Sequence, residues 1–376
     1  MGILDLRIRS YRSLRRTDWH PGRLNVVIGP NGSGKSNLLH ALELLQKAAA
    51  GDLAAEILRY GGMGQLLWDS RQQDLAWSVQ TEDTQYELVL RQLSGTSNYR
   101  IEREWLQLGD RILIERDARR GVLRDLDQNV VRTYVDTFSE EQTLLATATA
   151  PFHGREVFSV RSKLLSWFIY HDIRVDREAP LRQIAVARFE KTIAPDGQNL
   201  IPVLHTLYTG NREFKNSLDA AMRAAFGKDY EELVFPPAAD QQIQLRLRWR
   251  SLKTEQSAAN LSDGILRFLL LIAILANPEP GDLVAIDEPE TGLHPNMFPL
   301  IAELATEAAE RTQVIFTTHS PQFLDAFTSA SPTTTVAEWV DGETRLSVLN
   351  GEELQRWLKE YSLGSLFRSG ELEAMA

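Results

Sequence analysis

Apolar and polar positions change period several times along this chain, and each change predicts an element. Residues 3–10 alternate and residues 24–28 form a short, mostly apolar run; both read as strands, on either side of a Tyr11-Arg12-Ser13 turn. A helical pattern over 37–60 stops at Gly61-Gly62. From residue 74 to about 124 alternation returns, notably over 85–93 and 99–108 with a Ser94-Gly95-Thr96-Ser97 turn between them, and predicts an antiparallel meander. Residues 139–230 are mainly helical in pattern, except that 167–173 reads as a buried strand. Residues 242–250 read as a strand, 265–276 as a buried helix, and the apolar runs 283–286 and 314–318 as buried strands. No internal repeat and no sustained heptad occurs, which excludes long coiled-coil arms. This order predicts a single discontinuous α/β domain over 1–376. Its parts are a lobe at 1–135 carrying the meander, a mainly helical insertion at 136–235, and a closing lobe at 236–376.

Composition narrows the class. With 376 residues and 43% apolar content the chain can bury a large core, and its length admits one large or two medium domains. It has no cysteine, so neither a zinc hook nor a disulfide framework can form, and a reducing compartment is favoured. The longest apolar stretch, 265–276, is interrupted by Arg267 and suits a buried helix; no membrane span is expected. Residues 1–12 alternate like a strand, lack a signal-peptide core, and carry Leu6 where a myristoylation pattern needs Ser or Thr. The expected location is the cytoplasm.

A formal charge of −10 argues against a surface coated in positive potential, yet two local arginine stripes remain. Residues 99–125 carry Arg100, Arg103, Arg111, Arg116, Arg119, Arg120 and Arg124. Residues 242–250 place Arg246, Arg248 and Arg250 on one strand face, with Ile243, Leu245, Leu247 and Trp249 on the other. Each stripe reads either as a surface for duplex DNA or as a solvated strand face balanced by acids such as Glu102, Glu104 and Glu115.

Two distant segments carry chemistry. Residues 29–36 read GPNGSGKS, which fits G-x-x-x-x-G-K-[ST] between an apolar run and a helical pattern. Glycines let backbone N–H groups approach phosphates, and the helix start adds partial positive charge. Lys35 would place its charge on the β- and γ-phosphates of ATP, and Ser36 would offer its hydroxyl to Mg²⁺. Asn31, Gly32, Ser33, Gly34, Lys35, Ser36 and Asn37 are the candidate nucleotide contacts. Residues 283–290 read LVAIDEPE; Asp287, at the carboxyl end of a buried strand, is placed to hold the metal, and Glu288 to act as general base for a water attacking the γ-phosphate. Alone, each segment could be a Gly-rich turn or an acidic strand end. In this order and context they predict one nucleotide site.

Two further motifs lie between and after these. Residues 260–267 read NLSDGILR, and Leu261-Ser262-Asp263-Gly264 resembles the LSGG-type signature of ATP-binding-cassette (ABC) proteins, with Asp at the third position. A Ser hydroxyl and free amides at a helix start can grip a γ-phosphate, and the same residues would also serve as an ordinary N-cap. Residues 314–320, VIFTTHS, end a buried-strand pattern at His319, where ABC-type ATPases carry the switch histidine. Between them, residues 290–295 (ETGLHP) resemble the loop after the catalytic glutamate.

Together these motifs resemble an ABC-type ATPase of the SMC, RecF and OLD-like group, closest to the stand-alone ATPases labelled AAA-21. IRSYRSLRR (8–16), DGQNL (196–200) and YSLGSLFRSGEL (361–372) add to the likeness, which is strongest at both ends and weakest over about 70–190. The implied fold is α/β: an ABC-type P-loop ATPase head with a mixed sheet, an antiparallel β-meander and a helical insertion. The resemblance implies ATP and Mg²⁺ as cofactors, Lys35, Glu288 and His319 as catalytic residues, and Ser36 and Asp287 as metal ligands. Arg12, Ser262 and Gly264 join the P-loop residues as nucleotide contacts, and the Q-loop glutamine falls among Gln65, Gln80 and Gln183.

The implied assembly is a homodimer in which ATP is sandwiched between one subunit's P-loop and the other's LSDG segment, so that binding closes the dimer and hydrolysis reopens it. OLD nucleases follow the ATPase with a Toprim domain; residues 320–376 are too few for one, and nuclease activity is expected from a partner. The implied role is to gate such an effector, in anti-phage defence or repair. The alternatives are a RecF-like DNA clamp without an effector and, from another class, the nucleotide-binding subunit of a transporter.

Overall fold

The computed structural model of the chain describes residues 2–69, 71–93, 96–125, 130–135, 139–148, 154–349 and 351–376. It divides into two units: unit 1 holds residues 1–167, 333–350 and 376, and unit 2 holds 168–332 and 351–375.

In unit 1 the alternating segments form an antiparallel sheet. Its strands are β1 (Asp5–Tyr11), β2 (Leu14–Trp19), β4 (Asp74–Gln80), β5 (Thr84–Gln92), β6 (Tyr99–Leu108), β7 (Arg111–Asp117), β8 (Arg120–Asp125) and β9 (Val130–Val135), with β3 (Leu24–Ile28) lying outside it. The order is β2-β1-β4-β5-β6-β7-β8-β9. Along β5, Thr84, Tyr86, Leu88 and Leu90 are buried while the residues between them are half-buried, the one-sided pattern of an antiparallel sheet. The β5–β6 hairpin closes through Leu93 N–H on Asn98 O (3.0 Å). Residues 94 and 95 of the expected Ser94-Gly95-Thr96-Ser97 turn lie outside the described residues. β2 escaped the sequence reading because three charges within LRRTDW mask its buried Leu14, Thr17 and Trp19.

β3 is buried at all five positions, as a strand covered on both faces must be. It runs parallel to the strand Thr333–Val340, which pairs antiparallel with Glu343–Val348. The expected helix 37–60 is two helices, Lys35–Ala50 and Leu53–Arg59. Gly51, at φ 95°, takes the left-handed cap that ends the first.

In unit 2 the strand Leu283–Asp287 runs parallel to Gln313–Thr318, with Asp287 opposite Thr317. The strand Trp167–Tyr170, which enters the unit after its first residue, lies on the other side of Leu283–Asp287. Helices Leu200–Gly210, Arg212–Phe226, Asp263–Leu275 and Phe298–Ala309 supply the apolar cover. Two expectations need correction. Residues 171–199 are largely irregular rather than helical, because Pro180, Pro195 and Gly197 interrupt them. The strand expected over 242–250 is two strands in separate three-stranded sheets, Gln242–Ile243 and Arg246–Trp249. Its burial alternation survives: Ile243, Leu245, Leu247 and Trp249 are all buried.

Among the described residues the longest helix, Lys35–Ala50, has 16 residues, so none forms a coiled-coil arm, and no helix is long and apolar enough to cross a membrane.

Candidate functional site

The P-loop of unit 1 connects β3 to the helix Lys35–Ala50. Gly32 and Gly34 adopt φ of 83° and 95°, the left-handed region that a side chain resists. Gly34 also has no room for one: a Cβ there would lie 1.9 Å from Thr344 Oγ1 and 2.6 Å from Ser13 Oγ. Thr344 Oγ1 in turn lies 2.7 Å from Ser13 Oγ and 2.8 Å from the Ser33 carbonyl, so the strand Glu343–Val348 braces the loop from outside the motif. Pro30, Asn31 and Gly32 are exposed, Ser33 and Lys35 are buried, and Ser36 and Asn37 are half-buried. Lys35 Nζ donates to the carbonyls of Gly29 (2.8 Å) and Pro30 (2.9 Å), which holds the ammonium inside the loop's own curve.

Arg12 reaches the same helix. Its backbone is left-handed (φ 44°) and its N–H donates to Leu66 O at 2.7 Å. Its guanidinium lies 4.6 Å from the Tyr60 ring centroid and 3.4 Å from Asn37 Oδ1, while Asn37 Nδ2 donates to Ser13 Oγ (2.7 Å).

Unit 2 gathers the acids. Asp287 ends its strand beside Thr317, whose hydroxyl donates to Asp287 Oδ1. His171 Nδ1 stands 3.8 Å from the other carboxylate oxygen. Glu288 is left-handed at φ 46°, a conformation costly for a non-glycine residue, and its N–H donates to Thr317 O at 3.1 Å. That kink turns the carboxylate to His319, whose Nδ1 lies 2.9 Å from Glu288 Oε1. Both side chains are partly exposed.

Beneath them Glu290 is buried and takes the Thr318 hydroxyl; burial raises its carboxyl above the ordinary range. Burial likewise lowers Arg267, on the helix Asp263–Leu275, against the opposing fields of Glu290 and Glu288.

The signature segment opens that helix. Ser262 Oγ accepts from Ile265 N–H (3.3 Å), the N-cap geometry, and Ser262 and Asp263 are exposed. A Cβ on Gly264 would lie 2.9 Å from Gly292 O, so glycine lets the helix start approach the 290–295 loop. Asp263 pairs with the buried Arg182. Of the glutamines considered for the Q-loop, Gln65 ends the short turn Met63–Gln65, Gln80 ends β4, and Gln183 follows Arg182.

The arginine stripes resolve toward balance. Arg91 pairs with Asp74 and Glu102, Arg100 with Glu102, Arg103 with Glu87, and Arg124 with Glu115. Arg248 pairs with Glu232 and Glu255, and Arg246 with Glu255. A cavity of about 620 Å³ on the meander is lined by Glu102, Glu115, Arg103, Arg120 and Arg124 alike, so its field is mixed.

Sequence reasoning named its candidates from contiguous motifs. It missed Arg182, His171, Thr317, Thr318 and Thr344, whose partners lie on other segments. The adjacent threonines at the end of the strand Gln313–Thr318 carried the only local signal, hydroxyls at the tip of a buried strand.

Comparison with known proteins agrees with the fold. The chain is 23% identical over 339 residues to the OLD nuclease of Thermus scotoductus (strain ATCC 700910 / SA-01), a match covering 85% of this chain and 59% of that relative's length. A crystal structure of an Smc head bound to the C-terminal winged-helix domain of ScpA aligns with a TM-score of 0.56 at 13% identity, covering 95% of this chain and 100% of that one. The Pyrococcus furiosus Smc head with an extended coiled coil, bound to the C-terminal domain of ScpA, aligns with a TM-score of 0.54 at 11% identity, covering 95% and 98%. The fold is therefore the mixed α/β ABC-type ATPase head. Residues 24–325 match the family described as "AAA domain, putative AbiEii toxin, Type IV TA system". The chain belongs to this AAA_21 family of ATPases.

Proposed function

We propose that the chain is a Mg²⁺-dependent ATPase whose ATP-driven dimerisation gates an effector directed at DNA. The observation that carries the chemistry is the Glu288–His319 pair, 2.9 Å apart, with Glu288 kinked out of the strand that ends at Asp287. In the reaction a water oxygen attacks the γ-phosphorus while the bond to the β–γ bridging oxygen breaks. Glu288 takes the water's proton, and ADP departs with the bridging oxygen's electrons. Lys35 and the P-loop amides balance the phosphate charge. When Nδ1 of His319 carries the proton it donates to Glu288, orienting the base, and its Nε2 is left for the substrate side. The Ser36 hydroxyl and Asp287 carboxylate are hard oxygen donors that fit Mg²⁺, which when bound neutralises phosphate charge. Asp287 is already oriented by Thr317.

Dimerisation is supported by the exposure of Ser262 at the start of its helix, free to meet a second subunit's nucleotide. The effector is proposed to be a nuclease; within this chain, two acids after His319 serve structure, as Asp325 accepts from Gly364 N–H (2.7 Å) and Glu343 pairs with Arg345. A RecF-like clamp without an effector is the second reading. Balanced arginines make direct DNA binding by this chain secondary.

The test is steady-state ATP hydrolysis with Mg²⁺ by the wild type and Glu288→Gln, each with and without duplex DNA. Expected is turnover in the wild type and a fall of about 10²–10⁴-fold in the variant, the usual contribution of a general base. Equal turnover by both proteins would contradict the assignment.

A further inference from the structure

Arg182 is 5% exposed, yet it lies in the irregular stretch 171–199, about 80 residues before the signature segment. Its guanidinium makes five contacts. Nε donates to the carbonyls of Val175 (2.8 Å) and Asp176 (2.9 Å). Nη1 donates to those of Leu261 (2.6 Å) and Ala258 (3.3 Å), and Nη2 to the Asp263 carboxylate. Leu261 and Asp263 flank Ser262, so one rigid fork grips the signature segment on both sides of its hydroxyl.

We propose that Arg182 is a positioning residue for the signature segment, holding Leu261, Ser262 and Asp263 in the shape that receives a second subunit's nucleotide and cancelling the charge of Asp263. The reasoning is electrostatic and geometric. A hydroxyl and amides that grip a phosphate act best when fixed in advance. The signature here also carries an acid at its third position, and an unpaired carboxylate there would repel the phosphate. A buried guanidinium answers both needs, and lysine, a point charge without the planar fork, answers only the second. The inference rests on the shared-site reading above and adds a residue to it.

The experiment uses the full chain with Arg182→Ala and Arg182→Lys, the latter retaining volume and charge should the former fail to fold. Fluorescent ATP analogue binding, which reports the P-loop, is expected to stay within about twofold of wild type, while turnover falls by at least about tenfold, less for lysine than for alanine. Each variant is then mixed with Lys35→Ala, whose P-loop is disabled but whose signature is intact. Half of randomly formed dimers carry one complete site of two, so turnover should recover to about a quarter of wild type. Ser262→Arg is mixed in parallel. Recovery with Ser262→Arg but not with the Arg182 variants, or wild-type turnover by those variants alone, overturns the role of Arg182. Recovery with neither overturns the shared site itself, and the inference with it.

Discussion

His319 and Glu288 meet at 2.9 Å although they stand on different chain segments, one just past the strand Gln313–Thr318 and the other just past Leu283–Asp287. The two strands are locked in register with Asp287 opposite Thr317, and Glu288 N–H donates back to Thr317 O. Backbone pairing thus brings the two side chains within reach of each other.

His319→Ala should therefore leave the strands intact and release only the orientation of the base. Turnover is expected to fall by about 10–10²-fold with nucleotide binding retained, as for loss of one oriented partner. Steady-state kinetics beside a binding titration measure both, and unchanged kcat would remove His319 from the mechanism.

Glu104 and Arg116 form a fully buried ion pair in unit 1, 3.8 Å apart. Glu104 also accepts from the N–H groups of Leu144 (2.6 Å) and Leu145 (2.9 Å), at the start of the helix Leu144–Thr147. Glu104→Ala would orphan these donors and leave the buried Arg116 charge with backbone carbonyls but no counter-charge, a loss of about 3–5 kcal/mol. Denaturant unfolding is the measurement, and a change below about 1 kcal/mol would show the pair to be dispensable.

Glu290 gives a pH signature. Burial raises its carboxyl in the folded chain, so the folded state holds this proton more tightly than the unfolded one. The stability that this proton brings is complete below the unfolded pKa and is lost as pH rises through the folded pKa. Glu290→Gln keeps the shape without the ionisation, so its melting temperature should gain on the wild type as pH rises through that window. A difference independent of pH would mean that Glu290 ionises without penalty.

Gly364, in the helix Leu363–Ser369, touches the helix that follows His319. A Cβ there would lie 2.0 Å from Pro321 O and 2.5 Å from Asp325 Oδ1. Gly364→Ala must push the two helices apart, at a cost of about 1–3 kcal/mol read as a lower melting temperature. An unchanged melting temperature would mean that the contact yields freely.

What could be read from sequence depended on where a residue's partner lies. Lys35, Ser36, Asp287, Glu288 and Ser262 could be named as candidates because the loop, strand end and helix start that carry them are local structures written in adjacent residues. The meander was legible because β5 and β6 alternate cleanly, whereas β2 was hidden by its charges. Arg182 looked like any loop arginine, since its acceptors at 258, 261 and 263 come about 80 residues later. For the arginine stripes the sequence left two readings open; spacing revealed the cations and some balancing acids, such as Glu102 and Glu115, but not those on other strands, as Glu87 is for Arg103.

The most direct test of the central claim is the molar mass of Glu288→Gln by light scattering, with Mg²⁺ alone and with Mg²⁺ and ATP. ATP held without hydrolysis should shift monomer to dimer, and Ser262→Arg in the same background should abolish the shift. A mass that does not respond to ATP would contradict an ATPase that works by closing on a second copy of itself.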